Sequence, residues 1–259
     1  MATFLFDRII FGPVKSRRLG TSLGVNLLPV NSKLCSFDCI YCECGWTPRL
    51  RGKKAKLPGR KQVARELEEK LKDMQKNGEM PDVITFAGNG EPTLHPDFAG
   101  IIDDAILLRD RLAPSCKVAV LSNATTLGRE SVFLALQKVD DAILKLDSAI
   151  PATVKLLDCP VGHFRLDEFI GRLASFGRQA IIQTLFVRGT CRGKRIDNTT
   201  EEELNAWLEA LKIIQPRQVM IYSIDRDTPA GGLVKVLREE LNRIAGRLRE
   251  AGFDVQVSA

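Results

Sequence analysis

The sequence predicts an α/β protein built from mainly parallel strands. Short β-branched runs alternate with amphipathic helical stretches along nearly the whole chain, and each strand is separated from the next by a helix. No linker rich in Pro, Gly or Ser divides it, so residues 1–259 read as a single domain. A strand–helix–strand connection is a right-handed crossover that leaves its two strands parallel. Repetition of that unit gives either a doubly wound sheet or a barrel-like (β/α)6 arrangement. At 44% apolar and 27% charged the composition is ordinary for a globular chain, which excludes disordered, collagen-like and disulfide-dense proteins.

Residues 22–28 read as the first strand, closed by Pro29. A helix is expected over 61–76, where Val63, Leu67, Leu71 and Met74 fall on one stripe of a 3.6-residue period. Strand 82–86 and helix 97–112 follow, the latter turning Phe98, Ile101, Ala105, Leu108 and Leu112 inward. Next come strand 117–121, helix 129–137, strand 142–146, helix 166–176 and strand 180–187. Helix 201–213 buries Leu204, Trp207, Leu208 and Leu211, and strand 218–224, helix 237–249 and strand 253–257 complete the series. In either architecture chemistry collects in the loops that leave the strand C-termini. Here those are residues 29–60, 87–96, 122–128, 147–165, 188–200 and 225–236.

Four of the seven cysteines, Cys35, Cys39, Cys42 and Cys44, crowd into the first of these loops, while Cys116, Cys159 and Cys191 stand apart. The apolar run after Met1 is too short for a signal sequence, and no later stretch approaches a membrane span. A cytoplasmic protein without membrane attachment is therefore expected, and clustered thiols in a reducing compartment point to metal before disulfides. Soft thiolates select iron–sulfur clusters, zinc or copper(I). Spacings of four and three on a single loop favour iron–sulfur. A closed zinc site with Cys44 as fourth ligand is the alternative.

The pattern C-x3-C-x-aromatic-C formed by Cys35, Cys39, Tyr41 and Cys42 resembles the cluster motif of the radical SAM superfamily. That resemblance implies a partial (β/α)6 barrel and a [4Fe–4S] cluster held by the three cysteines. The open fourth iron is then chelated by S-adenosyl-L-methionine. It further implies an oxidoreductase-type enzyme that cleaves this cofactor reductively to a 5′-deoxyadenosyl radical, with a reductant such as flavodoxin or ferredoxin as partner. Gly88-Asn89-Gly90-Glu91 resembles the element that contacts the methionine amino group, with Asn89 standing between the glycines. Ser122-Asn123, Lys145, Asp147 and Gln183 resemble further cofactor contacts at strand ends. Gly12-Pro13-Val14, Ser16-Arg17-Arg18-Leu19-Gly20 and the cysteine segment look most like wyosine-type tRNA-modifying and molybdenum-cofactor protein A-like members.

The formal charge of +6 is unevenly spread, with seven basic residues and no acid between Arg49 and Lys61. That basic loop at 46–61, with Arg188, Arg192, Lys194 and Arg195 after the fifth strand, suggests an anionic substrate, either nucleic acid or a phosphorylated metabolite. Trp46 is the one aromatic residue near the loop, which is little for base stacking. Cys191 and Tyr222 are candidates for hydrogen-atom or proton transfer, each with a bland structural reading beside it. Two other functions compete: an activating enzyme that makes a glycyl radical on a partner protein, and a non-catalytic, zinc-stabilised RNA-binding module.

Overall fold

A computed structural model of the chain describes residues 4–48 and 56–258, so residues 49–55 of the basic loop lie outside the described residues. Contacts group the chain into two compact units. One takes in Leu5–Cys35 and Thr47–Ala142, the other Met1–Phe4, Ser36–Trp46 and Ile143–Ala259.

In the first unit β1 (Ile10–Ser16) and β2 (Gly20–Val25) form an antiparallel hairpin, followed by α1 (Arg60–Asn77), β3 (Val83–Phe86), α2 (Phe98–Leu112), β4 (Lys117–Ser122) and α3 (Glu130–Lys138). Strands β2, β3 and β4 are parallel, with Ser22 opposite Val83 and Ile84 opposite Val118. All four residues of β3 are buried, the continuous apolar run of a strand covered on both faces. The stripe of α1 is buried as expected, each such side chain stabilising by about 1.5–3 kcal/mol. This helix stops at Gly78, whose φ of +70° suits glycine. Strand β1 was not expected. Its Gly12-Pro13 pair depresses strand propensity, and the pairing register shifts between Phe11 and Val14, an irregularity tolerated where one neighbour is enough.

The second unit holds the last three residues of β5 (Asp141–Lys145) and then α4 (Pro151–Leu157), α5 (Leu166–Phe176), β6 (Ala180–Cys191) and β7 (Lys194–Asp197). It continues through α6 (Glu201–Ile214), β8 (Gln218–Ser223), β9 (Leu233–Lys235), α7 (Arg238–Glu250) and β10 (Val255–Ser258). Strands β6, β8 and β10 are parallel, with Ile182 opposite Val219 and Val257 opposite Ile221. Thr200 caps α6, its hydroxyl oxygen accepting the Glu203 N–H at 3.4 Å.

Three expected loops here carry structure. Residues 147–165 contain α4, seven residues long and started by Pro151, too short to display a periodic stripe. Residues 188–200 and 225–236 contain the outer end of β6 with β7 and β9 antiparallel to it. Polar and glycine-rich residues pair there through the backbone, without the apolar alternation that marks a strand in sequence. Both units keep the expected class, α/β with mainly parallel strands, as in a partial (β/α)6 barrel. Among the described residues no helix is long and apolar enough to cross a membrane.

Candidate cofactor site

In the first unit the site begins with the backbone just before Cys35. Leu34 donates its N–H to the Asn89 carbonyl at 2.9 Å and accepts the Glu91 N–H at 3.0 Å, a parallel bridge that clamps it against Gly90. Gly90 has φ +133°, and a β-carbon there would lie 2.5 Å from the Leu34 carbonyl carbon and closer still to its oxygen. Only glycine permits that approach. The glycine-rich turn therefore fixes where the first cysteine of the motif starts.

Asn89, also buried, has its side chain engaged by backbone: Oδ1 accepts from Phe6 N–H, and Nδ2 donates to the carbonyls of Phe6 and Pro29. Asn26 assists, its Oδ1 accepting from the N–H groups of Leu28 and Asn89. Asn26 was not singled out in sequence, where an asparagine near a strand end has no distinguishing signal. Asn89, expected to touch the cofactor, ties the amino-terminal segment to the glycine turn.

Glu91 is 2% exposed, yet four donors face it. Its Oε1 accepts from Thr93 N–H at 3.1 Å, the Thr93 hydroxyl at 2.5 Å and the Ser122 hydroxyl at 2.8 Å, and Oε2 accepts from Asn123 N–H at 2.6 Å. Burial raises this carboxyl above its ordinary value, against the pull of those donors. Lone pairs remain on Oε2 for a further donor such as an ammonium. Asn123 is held from several sides: Oδ1 accepts the Thr125 N–H at 3.1 Å and hydroxyl at 2.8 Å, while Nδ2 donates to Cys35 Sγ at 3.5 Å. The structure thus brings Cys35, Gly90, Glu91, Ser122 and Asn123 together.

In the second unit Cys39 is buried and its thiol donates to Asp158 Oδ1 at 3.4 Å. Cys42 N–H donates to the Cys39 carbonyl at 3.1 Å, a tight turn around Tyr41. The Tyr41 hydroxyl donates to Asp147 and meets the Lys145 ammonium. Lys145 Nζ lies 2.8 Å from Asp147 Oδ2 and 3.9 Å from Asp158 Oδ1, so one ammonium faces two buried carboxyl groups. Asp147 Oδ1 also accepts the Leu185 N–H at 2.9 Å.

Burial pushes the Asp158 carboxyl well up, and neighbouring Asp147 adds to it. For Lys145 burial is the largest influence and opposes the charge, but Asp147, Cys39 and Asp158 outweigh it and hold the ammonium. Burial, then Asp147, raises the Tyr41 phenol, which stays a neutral donor. Lys145 and Asp147 are paired to each other rather than left open. Asp158, beside Leu156 and Leu157, escaped sequence reading although an acid in an apolar stretch was a usable signal.

Gln183 on β6 carries a buried Nε2 with no partner among the described residues. Such an orphaned donor costs about 1–3 kcal/mol, which an acceptor on a ligand offsets. Tyr222 on β8 is near enough to Tyr41 and Lys145 to act on both electrostatically. Cys191 ends β6 at the hairpin with β7, and the adjacent Arg192 guanidinium sits 5.0 Å from the Trp46 ring centroid. Of the other basic residues there, Arg188 pairs with Glu240 and Arg195 with Asp197.

None of the seven cysteines is in a disulfide, and burial pushes the Cys116 thiol up to about 11, which disfavours its thiolate. Among the described residues no three His, Cys, Asp or Glu side chains gather to hold a single metal ion. Ligands of a cluster hold separate irons and do not crowd one centre as in tetrahedral zinc. Three thiols outside any disulfide, a glycine cradle and an amide donor unpartnered among the described residues fit a thiolate-bound cluster with a polar cofactor.

A family model described as the radical SAM superfamily matches residues 32–154. Among curated relatives, a UPF0026 protein of Synechocystis sp. is 30% identical over 224 residues, covering 85% of this chain and 77% of its own length. A Brachyspira hyodysenteriae protein named GTPase Obg is 30% identical over 248 residues, covering 96% of this chain. The chain spans only 34% of that relative, and it contains no G-x-x-x-x-G-K-[ST] sequence. A crystal structure of a radical SAM methyltransferase from Sphaerobacter thermophilus superposes with TM-score 0.67 at 14% identity, covering 92% of this chain and 65% of that one, a likeness of fold. On these grounds the chain belongs to the UPF0026 protein family and is a member of the radical SAM superfamily, whose enzymes use a [4Fe–4S] cluster and S-adenosylmethionine.

Proposed function

We propose that Cys35, Cys39 and Cys42 hold a [4Fe–4S] cluster and that Gly88–Glu91, Ser122 and Gln183 bind S-adenosyl-L-methionine beside it, residues 1–259 acting as one core domain. Bound together, these groups would supply one-electron reductive cleavage of the cofactor and, from it, hydrogen-atom abstraction from the substrate. Glu91 Oε2 receives the cofactor's ammonium, an acid already held in place by Thr93, Ser122 and Asn123. Gln183 Nε2 donates to it. The Tyr41–Lys145–Asp147 group, buried and internally paired, orients the segment between Cys39 and Cys42 and keeps water from it. A flavodoxin or ferredoxin in the cytoplasm is the reductant.

The observation that carries this reading is the clamp of Leu34 on Gly90, which seats the first motif cysteine against Asn123. The substrate is anionic, RNA or a phosphorylated metabolite, and Arg192 stacked on Trp46 with Lys194 exposed nearby supports this. Cys191 or Tyr222 serves proton or hydrogen-atom transfer to it. The test is anaerobic reconstitution, reduction with dithionite in the presence of S-adenosylmethionine, and measurement of 5′-deoxyadenosine. Product is expected from the wild type and none from Cys39→Ala. An intact cluster without product overturns the reading, and a colourless protein containing zinc favours a non-catalytic module.

A further inference from the structure

We propose that Asn123 is a positioning residue for the cluster itself: its amide N–H donates to Cys35 Sγ and raises the reduction potential of the cluster that this sulfur ligates. The inference rests on the cluster assignment above and adds to it. Three observations carry it, all from the first unit.

First, the orientation of the amide is dictated by its neighbours. Thr125 presents two donors, its N–H and its hydroxyl, to Asn123 Oδ1 at 3.1 and 2.8 Å. An amide turned the other way would set its NH2 against the Thr125 N–H, which can only donate, so Nδ2 must face away from Thr125. Second, Nδ2 then lies 3.5 Å from Cys35 Sγ, within reach of an N–H···S bond. Third, both ends of that contact are anchored. Asn123 N–H is bonded to Glu91 Oε2 at 2.6 Å, and Cys35 follows Leu34, bonded on both sides to the 89–91 turn. The donor and the sulfur therefore keep their separation without relying on each other.

The consequence for electron transfer follows from charge. A thiolate ligand carries more negative charge when the cluster is reduced, so a donor aimed at it stabilises the reduced form more than the oxidised one. The contact thus favours acceptance of the electron. An amide supplies this without adding a titratable group, so the effect is independent of pH.

The test uses the full chain, reconstituted anaerobically, with potentiometric titration followed by the EPR signal of the reduced cluster. Asn123→Leu keeps similar volume and removes the donor. At a given potential its reduced-to-oxidised ratio should fall about tenfold, which is about 59 mV for a one-electron couple. Thr125→Ala keeps the donor but frees the amide, and should give about a threefold fall. Both shifts should be present without S-adenosylmethionine. A shift seen only with the cofactor bound makes Asn123 a cofactor contact and overturns the proposal, as does an Asn123→Leu reduced-to-oxidised ratio within twofold of wild type at the same potential. If Asn123→Leu fails to load iron, Thr125→Ala decides, and an unchanged midpoint there overturns it. A wild type that loads no [4Fe–4S] cluster refutes the cluster assignment and this inference with it, an outcome distinct from a loaded cluster of unchanged potential.

Discussion

Replacing Gly90 with alanine should remove the clamp on which the first motif cysteine depends. The added β-carbon would stand 2.5 Å from the Leu34 carbonyl carbon, where ordinary contact is 3.4–4 Å, so that carbonyl must retreat by about 1 Å. The Glu91 N–H to Leu34 bond, now 3.0 Å, would then stretch to about 4 Å and be lost. Overpacking contributes about 1–3 kcal/mol. The φ of +133°, disfavoured for alanine, contributes a similar amount, and the broken hydrogen bond about 0.5–1.5 kcal/mol. A loss of about 3–7 kcal/mol is expected, a large fraction of a typical folding free energy. Urea unfolding of the metal-free protein measures it, and iron and sulfide content after reconstitution reports on Cys35. Gly78→Ala is the control, because Gly78 also has a positive φ, +70°, but nothing lies within 4 Å of its added carbon. It should lose only about 1 kcal/mol and load iron normally. If Gly90→Ala behaves like Gly78→Ala in both assays, the clamp is not what seats Cys35.

Glu91→Gln tests the buried carboxylate through pH. Because the folded-state carboxyl is raised above 4.5, ionised Glu91 opposes folding, and wild-type stability is lost as pH rises through the folded value. The stability of wild type relative to Glu91→Gln should therefore decline from about pH 4 upward, and urea midpoints showing a flat or rising difference would contradict this. Asn198→Ala removes a buried side chain that accepts from Val187 N–H and donates to the carbonyls of Asp147 and Leu185. Thermal or urea unfolding should show a loss of about 3–5 kcal/mol from unpaired backbone groups, and a loss under 1 kcal/mol would mean they are satisfied otherwise. Lys145→Met removes the ammonium that faces the buried carboxyl groups of Asp147 and Asp158 and should destabilise by about 3–5 kcal/mol, with partial recovery on adding Asp147→Asn. A double variant no more stable than the single one would show that charge is not the cause.

Legibility in the sequence followed physical strength of signal. The stripe Val63, Leu67, Leu71 and Met74 was readable because a helix that buries one face must repeat its apolar residues at that face. The parallel strands β3 and β6 were readable as apolar runs. Strand β1, helix α4 and strands β7 and β9 were not, since each is held by backbone pairing or a proline start instead of an apolar pattern. At the site, residue types were legible and their partners were not. Cys35, Glu91 and Asn123 could each be named from local motifs, but nothing local says that Asn123 faces a sulfur or that Lys145 is shared by Asp147 and Asp158.

The sequence by itself determined the α/β class and the thiol spacing, because periodicity and ligand spacing are properties of neighbouring residues. It also determined which loops carry polar residues at strand ends. Only the tertiary structure decided what those residues do. Asn89 ties backbone, Glu91 sits among four donors, Gly90 yields its side-chain space to the Leu34 carbonyl, and Gln183 keeps a buried donor unpaired among the described residues. Each of these depends on contacts between segments 31 to 83 residues apart in the chain, or on the lack of one. Burial and hydrogen-bond satisfaction are set by such contacts, which leave no periodic trace in sequence.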